Sequence, residues 1–299
     1  MPERLRVGSA EIAVARDADY RIAAGRFLRD GQQKEIAPER FRPYLGDRDP
    51  TEYEESQVLT FVVRSEGQTI LVDAGVGPWG MWRFGAGHLL ESLAALDLAP
   101  EAIDYVLPTH LHFDHVGWNM RPSDDGSVPT FPNARYLFQQ ADWDYFTSEA
   151  FLGGEGPLVE MVRLAVLPLE HTGLMELIGS EHTVTEGVTL LHTPGHTPGS
   201  VSVLVQSGSE SALLLGDAAH HPLQLTQTDW SALIDVDASL SARSREALVA
   251  EAMRLDAYVA GGHFLASDPT FGKIIRFEGQ NVWRGVALGQ QSPTGDNPS

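Results

Sequence analysis

The chain has 299 residues, 42% of them hydrophobic and 8% aromatic, which is enough apolar material for a sizeable buried core. Forty-one acidic residues against 21 basic ones leave a formal net charge of -20, which repels nucleic-acid backbones and anionic membrane surfaces. There is no cysteine, so disulfides, thiolate zinc sites and a cysteine nucleophile are excluded, and any metal must be held by His, Asp or Glu.

In chain order, Met1 to Asp19 has no apolar signal-peptide core, and no apolar run reaches the length of a membrane span. A soluble, cytoplasmic protein is the expectation. Residues 1–55 read as an N-terminal extension packing on the remainder or, through Ala23 to Tyr53, on a partner subunit. Val58–Val63 and Thr69–Val72 read as a hairpin of strands around the turn Ser65-Glu66-Gly67-Gln68. The second strand ends at Asp73-Ala74-Gly75-Val76-Gly77, where glycines permit a sharp turn. Leu89, Leu93 and Leu96 recur at helical spacing before Pro100. The strand Tyr105-Val106-Leu107 then leads into His110-Leu111-His112-Phe113-Asp114-His115.

From Val116 to Glu186 the pattern is looser and aromatic. Strands return at Val188–Leu191, Val201–Val205 and Ala212–Leu215. A helix is predicted over Ser244–Tyr258, with Leu248, Ala252 and Leu255 on one face. A last strand covers Ile274–Phe277, and residues 289–299 read as a disordered tail. The strand–helix pattern occurs twice, which predicts an α/β fold of two sheets packed face to face with helices outside, a single domain over residues 1–288.

A lone histidine is ordinarily a surface or core residue, and His88, His171, His182 and His192 read that way. Four metal-competent residues within six positions are a different matter. In an extended stretch, residues two apart face the same side, so His110 and His112 can grip one ion together. Asp114 and His115, where the strand gives way to a helix, can turn toward a second ion. His196 lies in Thr193-Pro194-Gly195-His196-Thr197-Pro198-Gly199, between two predicted strands. Asp217 closes the strand Leu213-Leu214-Leu215-Gly216, where one carboxylate can bridge two cations, and His263 follows Gly261-Gly262.

The ordered set His110, His112, Asp114, His115, His196, Asp217 and His263 resembles the ligand pattern of the metallo-β-lactamase-fold hydrolases, over about residues 55 to 280. The resemblance implies a four-layer αββα sandwich with the metals at one edge, between two mixed sheets. It places His110, His112 and His196 on a first ion, Asp114, His115 and His263 on a second, and Asp217 between them. Asp73 would orient a ligand without binding metal. Two divalent ions, zinc first and Mn, Fe or Co as alternatives, would supply a bridging hydroxide for hydrolysis of an ester-type bond. The stretch from Thr109 to Asn119 and the spacing from Asp217 to His263 are similar to the branch containing N-acyl-homoserine lactonases and methyl parathion hydrolase.

In that branch the lactonases carry a tyrosine three residues after the bridging aspartate, and this chain has His220 there. The expected activity is that of a lactonase or carboxylic esterase, with a phosphotriesterase or a mononuclear iron dioxygenase as alternatives. Asp114 and His220 are the candidate catalytic groups, and Phe113, Trp118 and His220 the candidate pocket residues. His221 reads as a loop residue beside the site. The expected substrate is small and uncharged or apolar, with no nucleic acid or membrane partner and a homodimer as the candidate assembly.

Overall fold

The strand Glu54–Ser65 shows how the layers arise. Its side chains alternate between two apolar environments: Val58 and Val62 enter one core, while Leu59, Phe61 and Val63 enter another. Both faces are therefore covered, and the run reads as continuously hydrophobic. A computed structural model describes residues 3–80, 85–124 and 126–287 of the chain.

Two seven-stranded mixed sheets form, and in each the spatial order of strands follows the chain. The first comprises Arg4–Val7, Ala10–Ile22, Glu54–Ser65, Gln68–Val72, Tyr105–Leu107, Arg135–Gln139 and Met175–Ile178. Its first four strands are antiparallel and the rest join in parallel. The second comprises Thr183–Thr185, Val188–His192, Val201–Ser207, Glu210–Leu214, Tyr258–Ala260, Phe271–Phe277 and Gln280–Gly285. Only Glu210–Leu214 and Tyr258–Ala260 pair in parallel, and the helix Ala238–Arg254 is the crossover such a pair requires.

Between the sheets lies a core that includes Ile12, Phe61, Val63, Ile70, Val203, Leu214 and Phe271. A second core backs the first sheet with Leu89, Leu93, Val162 and Ala165, and a third backs the second sheet with Leu248, Val249 and Ala252 of the long helix. The four-layer αββα arrangement expected from the sequence is present.

Three local expectations are corrected. The helix predicted over 244–258 begins at Ala238, because the Asp237 side chain accepts the Leu240 N–H at 2.9 Å and caps it, and ends at Arg254. Tyr258 belongs to the next strand, where it pairs with Ala212 and Lys273. Residues 4–22 are integral to the fold: they form the first two strands of a sheet. Residues beyond them, among them Ala24, Leu28, Phe41 and Leu45, pack on Leu223 and Trp230 of the same chain. The predicted disordered tail lies outside the described residues. Among the described residues no helix is long and apolar enough to cross a membrane.

Candidate metal centre

The candidate site residues follow the ends of strands: the orienting Asp73 after Gln68–Val72, and the ligands in residues 110–115 after Tyr105–Leu107, Asp217 after Glu210–Leu214 and His263 after Tyr258–Ala260. Sites of α/β sheets gather where strands end, because the loops there are free of ladder hydrogen bonds. His110 and His112 lie beyond the strand, which stops at Leu107, and a helix spanning only Phe113–Val116 follows. They are not on one extended face, as the sequence suggested, yet their rings meet with centroids 4.6 Å apart.

Two glycines make the loops possible. Gly195, at φ 134, precedes His196, and a Cβ there would fall 2.1 Å from the backbone nitrogen of Ser241. Gly216, at φ 54, precedes Asp217, and its Cβ would strike the Thr109 side chain at 2.8 Å. Any side chain would push these ligands out of register.

The structure brings all seven candidate ligands together in two groups. His110, His112, His196 and Asp217 form one, and Asp114, His115 and His263 the other, with one ligand atom from each residue within 4.8 Å of the others in its group. Asp217 faces both. Its Oδ2 lies 3.3 Å from His196 Nε2 and 3.7 Å from His110 Nε2, while its Oδ1 lies 3.2 Å from His263 Nε2 and 3.4 Å from His115 Nε2. Donor atoms about 3.3 Å apart are what a tetrahedral ion with bonds of about 2.0–2.1 Å requires.

Other contacts decide which ring nitrogen points inward. His115 Nδ1 is 3.0 Å from Asp73 Oδ2, His196 Nδ1 is 2.9 Å from Asp235 Oδ1, and His263 Nδ1 is 3.1 Å from the Gln57 carbonyl. In each the other nitrogen, Nε2, is left for the cluster. Asp73 is itself at φ 64, and its Oδ1 accepts the Thr109 N–H at 2.7 Å.

The residues fit a divalent ion. His110 Nε2 and Asp217 Oδ1 are buried with no hydrogen-bond partner, which a native core rarely leaves unless a ligand is meant to fill the position. Burial, then the neighbouring His115 and Asp217, act on His110. With His112 and His196 added, its pKa falls well below the ordinary value, so the imidazole is neutral and able to ligate. Burial would raise the Asp217 carboxyl, but His263, His115, His220 and His110 hold it well below the carboxylate range.

The remaining expectations separate. His220 stands beside the cluster, its Nε2 3.0 Å from Asp217 Oδ2, and it lines a cavity of about 570 Å³ together with Phe113 and Asp114. Trp118 does not line that cavity. It is buried in the core, and its indole N–H donates to Asp17 Oδ1 at 2.8 Å, so its place near the ligands in sequence misled. His221 is buried, and its Nδ1 accepts the Leu223 N–H.

Several residues of the site carry no motif. Asp235 is a lone carboxylate in the apolar run Leu233-Ile234-Asp235-Val236, a visible anomaly, but the histidine it touches, His196, lies far away in sequence. Asp142 ties two ligand loops, accepting from Leu111 N, Gly199 N at 2.6 Å and the Thr197 hydroxyl at 2.9 Å. Tyr20 and Phe27 form cavity wall from the N-terminal segment, with Tyr20 edge-on to His263 and Phe27 edge-on to His220.

Residues 53–263 match the model of the metallo-beta-lactamase superfamily. An N-acyl homoserine lactonase of a Bacillus species is 30% identical over 183 residues, 56% of this chain and 65% of that protein. The chain thus spans just under two thirds of that relative's length. Two solved structures share the fold: the hydrolase AbOPH of the beta-lactamase superfamily, with TM-score 0.79, 22% identity and 96% and 98% of the two chains covered, and AidC, described as a dizinc quorum-quenching lactonase, with TM-score 0.77, 19% identity and 96% and 98% covered.

Proposed function

This chain belongs to the metallo-beta-lactamase superfamily, and from that premise we propose that it is a dinuclear, zinc-dependent hydrolase of an ester-type bond, acting on a lactone or carboxylic ester. The observation that carries the reading is Asp217, whose two carboxylate oxygens face two separate groups of donors. Histidine nitrogens and carboxylate oxygens, with no thiolate in the chain, suit zinc among the common divalent ions. Two such ions, when bound, would lower the pKa of a shared water toward neutrality and polarise the substrate oxygen under attack.

The protein's own groups do the rest. The cavity wall is largely apolar, with Ile22, Ala23, Phe27, Leu158, Leu233 and Ile234, which suits a small, uncharged or apolar substrate. The polar groups converge on its floor, where Asp217, His220 and His263 border it. Burial first, against the pull of Asp217, lowers the His220 pKa, so this ring is a neutral imidazole able to hydrogen-bond the substrate oxygen. Asp114 borders the same cavity, and in this reading it carries a proton from the attacking water to the departing alkoxide. The lactonase name of the Bacillus relative supports a lactone, and the net charge of -20 argues against nucleic acid or a membrane as partner.

The test is a turnover panel of lactones, aryl esters and phosphotriesters on zinc-loaded protein, with His220→Tyr alongside. Hydrolysis of lactones or esters is expected. Turnover of none of them, or of phosphotriesters alone, overturns the reading.

A further inference from the structure

The loop after Trp230 meets the metal centre twice. Leu233 and Ile234 form part of the cavity wall, and Asp235 turns inward, its side chain fully buried. Asp235 Oδ1 lies 2.9 Å from His196 Nδ1, and its Oδ2 accepts the Ala232 N–H at 3.1 Å. The backbone already joins these loops without that carboxylate, through Val236 N to His196 O at 3.2 Å and Asp237 N to Gly195 O at 2.8 Å. What the carboxylate adds is a hold on the ring. With Nδ1 engaged, Nε2 points at His112 Nδ1, 2.9 Å away, and at Asp217 Oδ2, 3.3 Å away.

Behind Asp235 stands Arg245, fully buried on the helix Ala238–Arg254. Its guanidinium donates to the carbonyls of Ala218 at 2.6 Å and of Thr228 and Trp230 at 2.7 Å, and to the Ser241 hydroxyl at 3.0 Å. One Nη2 lies 3.8 Å from Asp235 Oδ2. A buried guanidinium is tolerated only where its donors are satisfied and a counter-charge is near. Here the same group grips the residue after Asp217 and faces the residue that holds His196. The planar fork of arginine suits that double task better than the single ammonium of lysine.

We propose that Asp235, backed by Arg245, is the positioning residue that fixes the His196 ring so that its Nε2 serves the first metal group. The inference rests on the reading of His196 as a metal ligand, and its test is read as metal content, so the two can fail separately. Outer partners of ligating histidines typically contribute about 10–100-fold in metal affinity.

The experiment measures zinc affinity by chelator competition, and the visible spectrum of the cobalt-substituted protein, for wild type, Asp235→Ala, Asp235→Asn and Arg245→Lys. In Asp235→Ala one of the two ions should bind about 10–100-fold more weakly, while the ion held by Asp114, His115 and His263 is retained. Asp235→Asn keeps an acceptor oxygen and should restore most of the affinity, with Arg245→Lys intermediate. A merely structural role would weaken both ions together and would not be relieved by Asn. Should the alanine variant not fold, the other two variants carry the test. Both ions bound with wild-type affinity in every variant, or both weakened alike, overturns the proposal. Wild-type protein that takes up no metal overturns the reading of the centre as well.

Discussion

At the scale of single residues the site divides by what each side chain touches. Asp217 faces both donor groups with its two carboxylate oxygens, so Asp217→Asn should cost more than the ~10–100-fold typical of an outer partner, in zinc content as well as kcat/KM. Metal analysis beside steady-state kinetics checks this, and an Asn variant that holds two ions would remove the bridging role. His220 lines the cavity but stands outside both groups. His220→Ala should therefore keep its metal while kcat falls by roughly 10²–10⁴-fold, the range for a lost proton-transfer or hydrogen-bonding group. Loss of metal in that variant would show that His220 supports the centre instead.

At the scale of elements, buried carboxylates join pieces distant in sequence. Asp142, on the helix Gln140–Phe146, binds the His110–His112 loop to the His196 loop. Burial pushes its carboxyl up to about 6, although the N–H groups of Gly199 and Leu111 and the Thr197 hydroxyl pull it down. A raised pKa means that the folded chain holds the proton more tightly than the unfolded chain, whose value is about 3.9. Stability from this group therefore declines as pH rises from about 4 to about 6. The melting-temperature difference between wild type and Asp142→Asn should shrink over that interval, and a difference that grows would reverse the assignment. The helix Ala238–Arg254 depends on its cap, so Asp237→Ala should lower stability by about 1 kcal/mol in urea unfolding.

At the scale of the whole molecule, the cavity lies where several separate pieces meet: the N-terminal segment, the metal-ligand loops and the 231–236 loop. The strand Leu28–Arg29 pairs with Ser231–Ala232, and Leu233 N donates to the Phe27 carbonyl at 2.9 Å, so the two outer walls are one unit. Phe27 packs edge-on to His220 with ring centroids 5.0 Å apart. Phe27→Ala should deepen the cavity and shift kcat/KM about tenfold toward bulkier lactones or esters, as for other apolar pocket walls. An unchanged preference across a chain-length series would exclude Phe27 as a determinant. The candidate ligands come from the strand ends of both sheets, so a bound metal would tie the sheets together, and its removal by chelator should lower the melting temperature by on the order of 5 °C, recovered on adding zinc.

The sequence by itself determined which residues gather at the candidate centre and the class of the fold. His110, His112, Asp114 and His115 are neighbours in the chain, and the strand runs around them alternate locally, so both signals survive without knowledge of the fold. His196, Asp217 and His263 were legible because each sits in a glycine-marked loop after a strand. The strands at Arg4–Val7 and Ala10–Ile22 are not legible locally: they pair with each other as a hairpin, but the sheet partner of Ala10–Ile22 is Glu54–Ser65, and nothing near in sequence announces that pairing. Trp118 misled for the converse reason: closeness in sequence to the ligands does not set the direction of a side chain, and Asp17, 101 residues away, takes its indole. Only the tertiary structure decided that Asp235 and Arg245 stand behind His196 and that Tyr20 and Phe27 close the cavity. Those contacts join residues far apart in the chain, and they exist only once both sheets have packed.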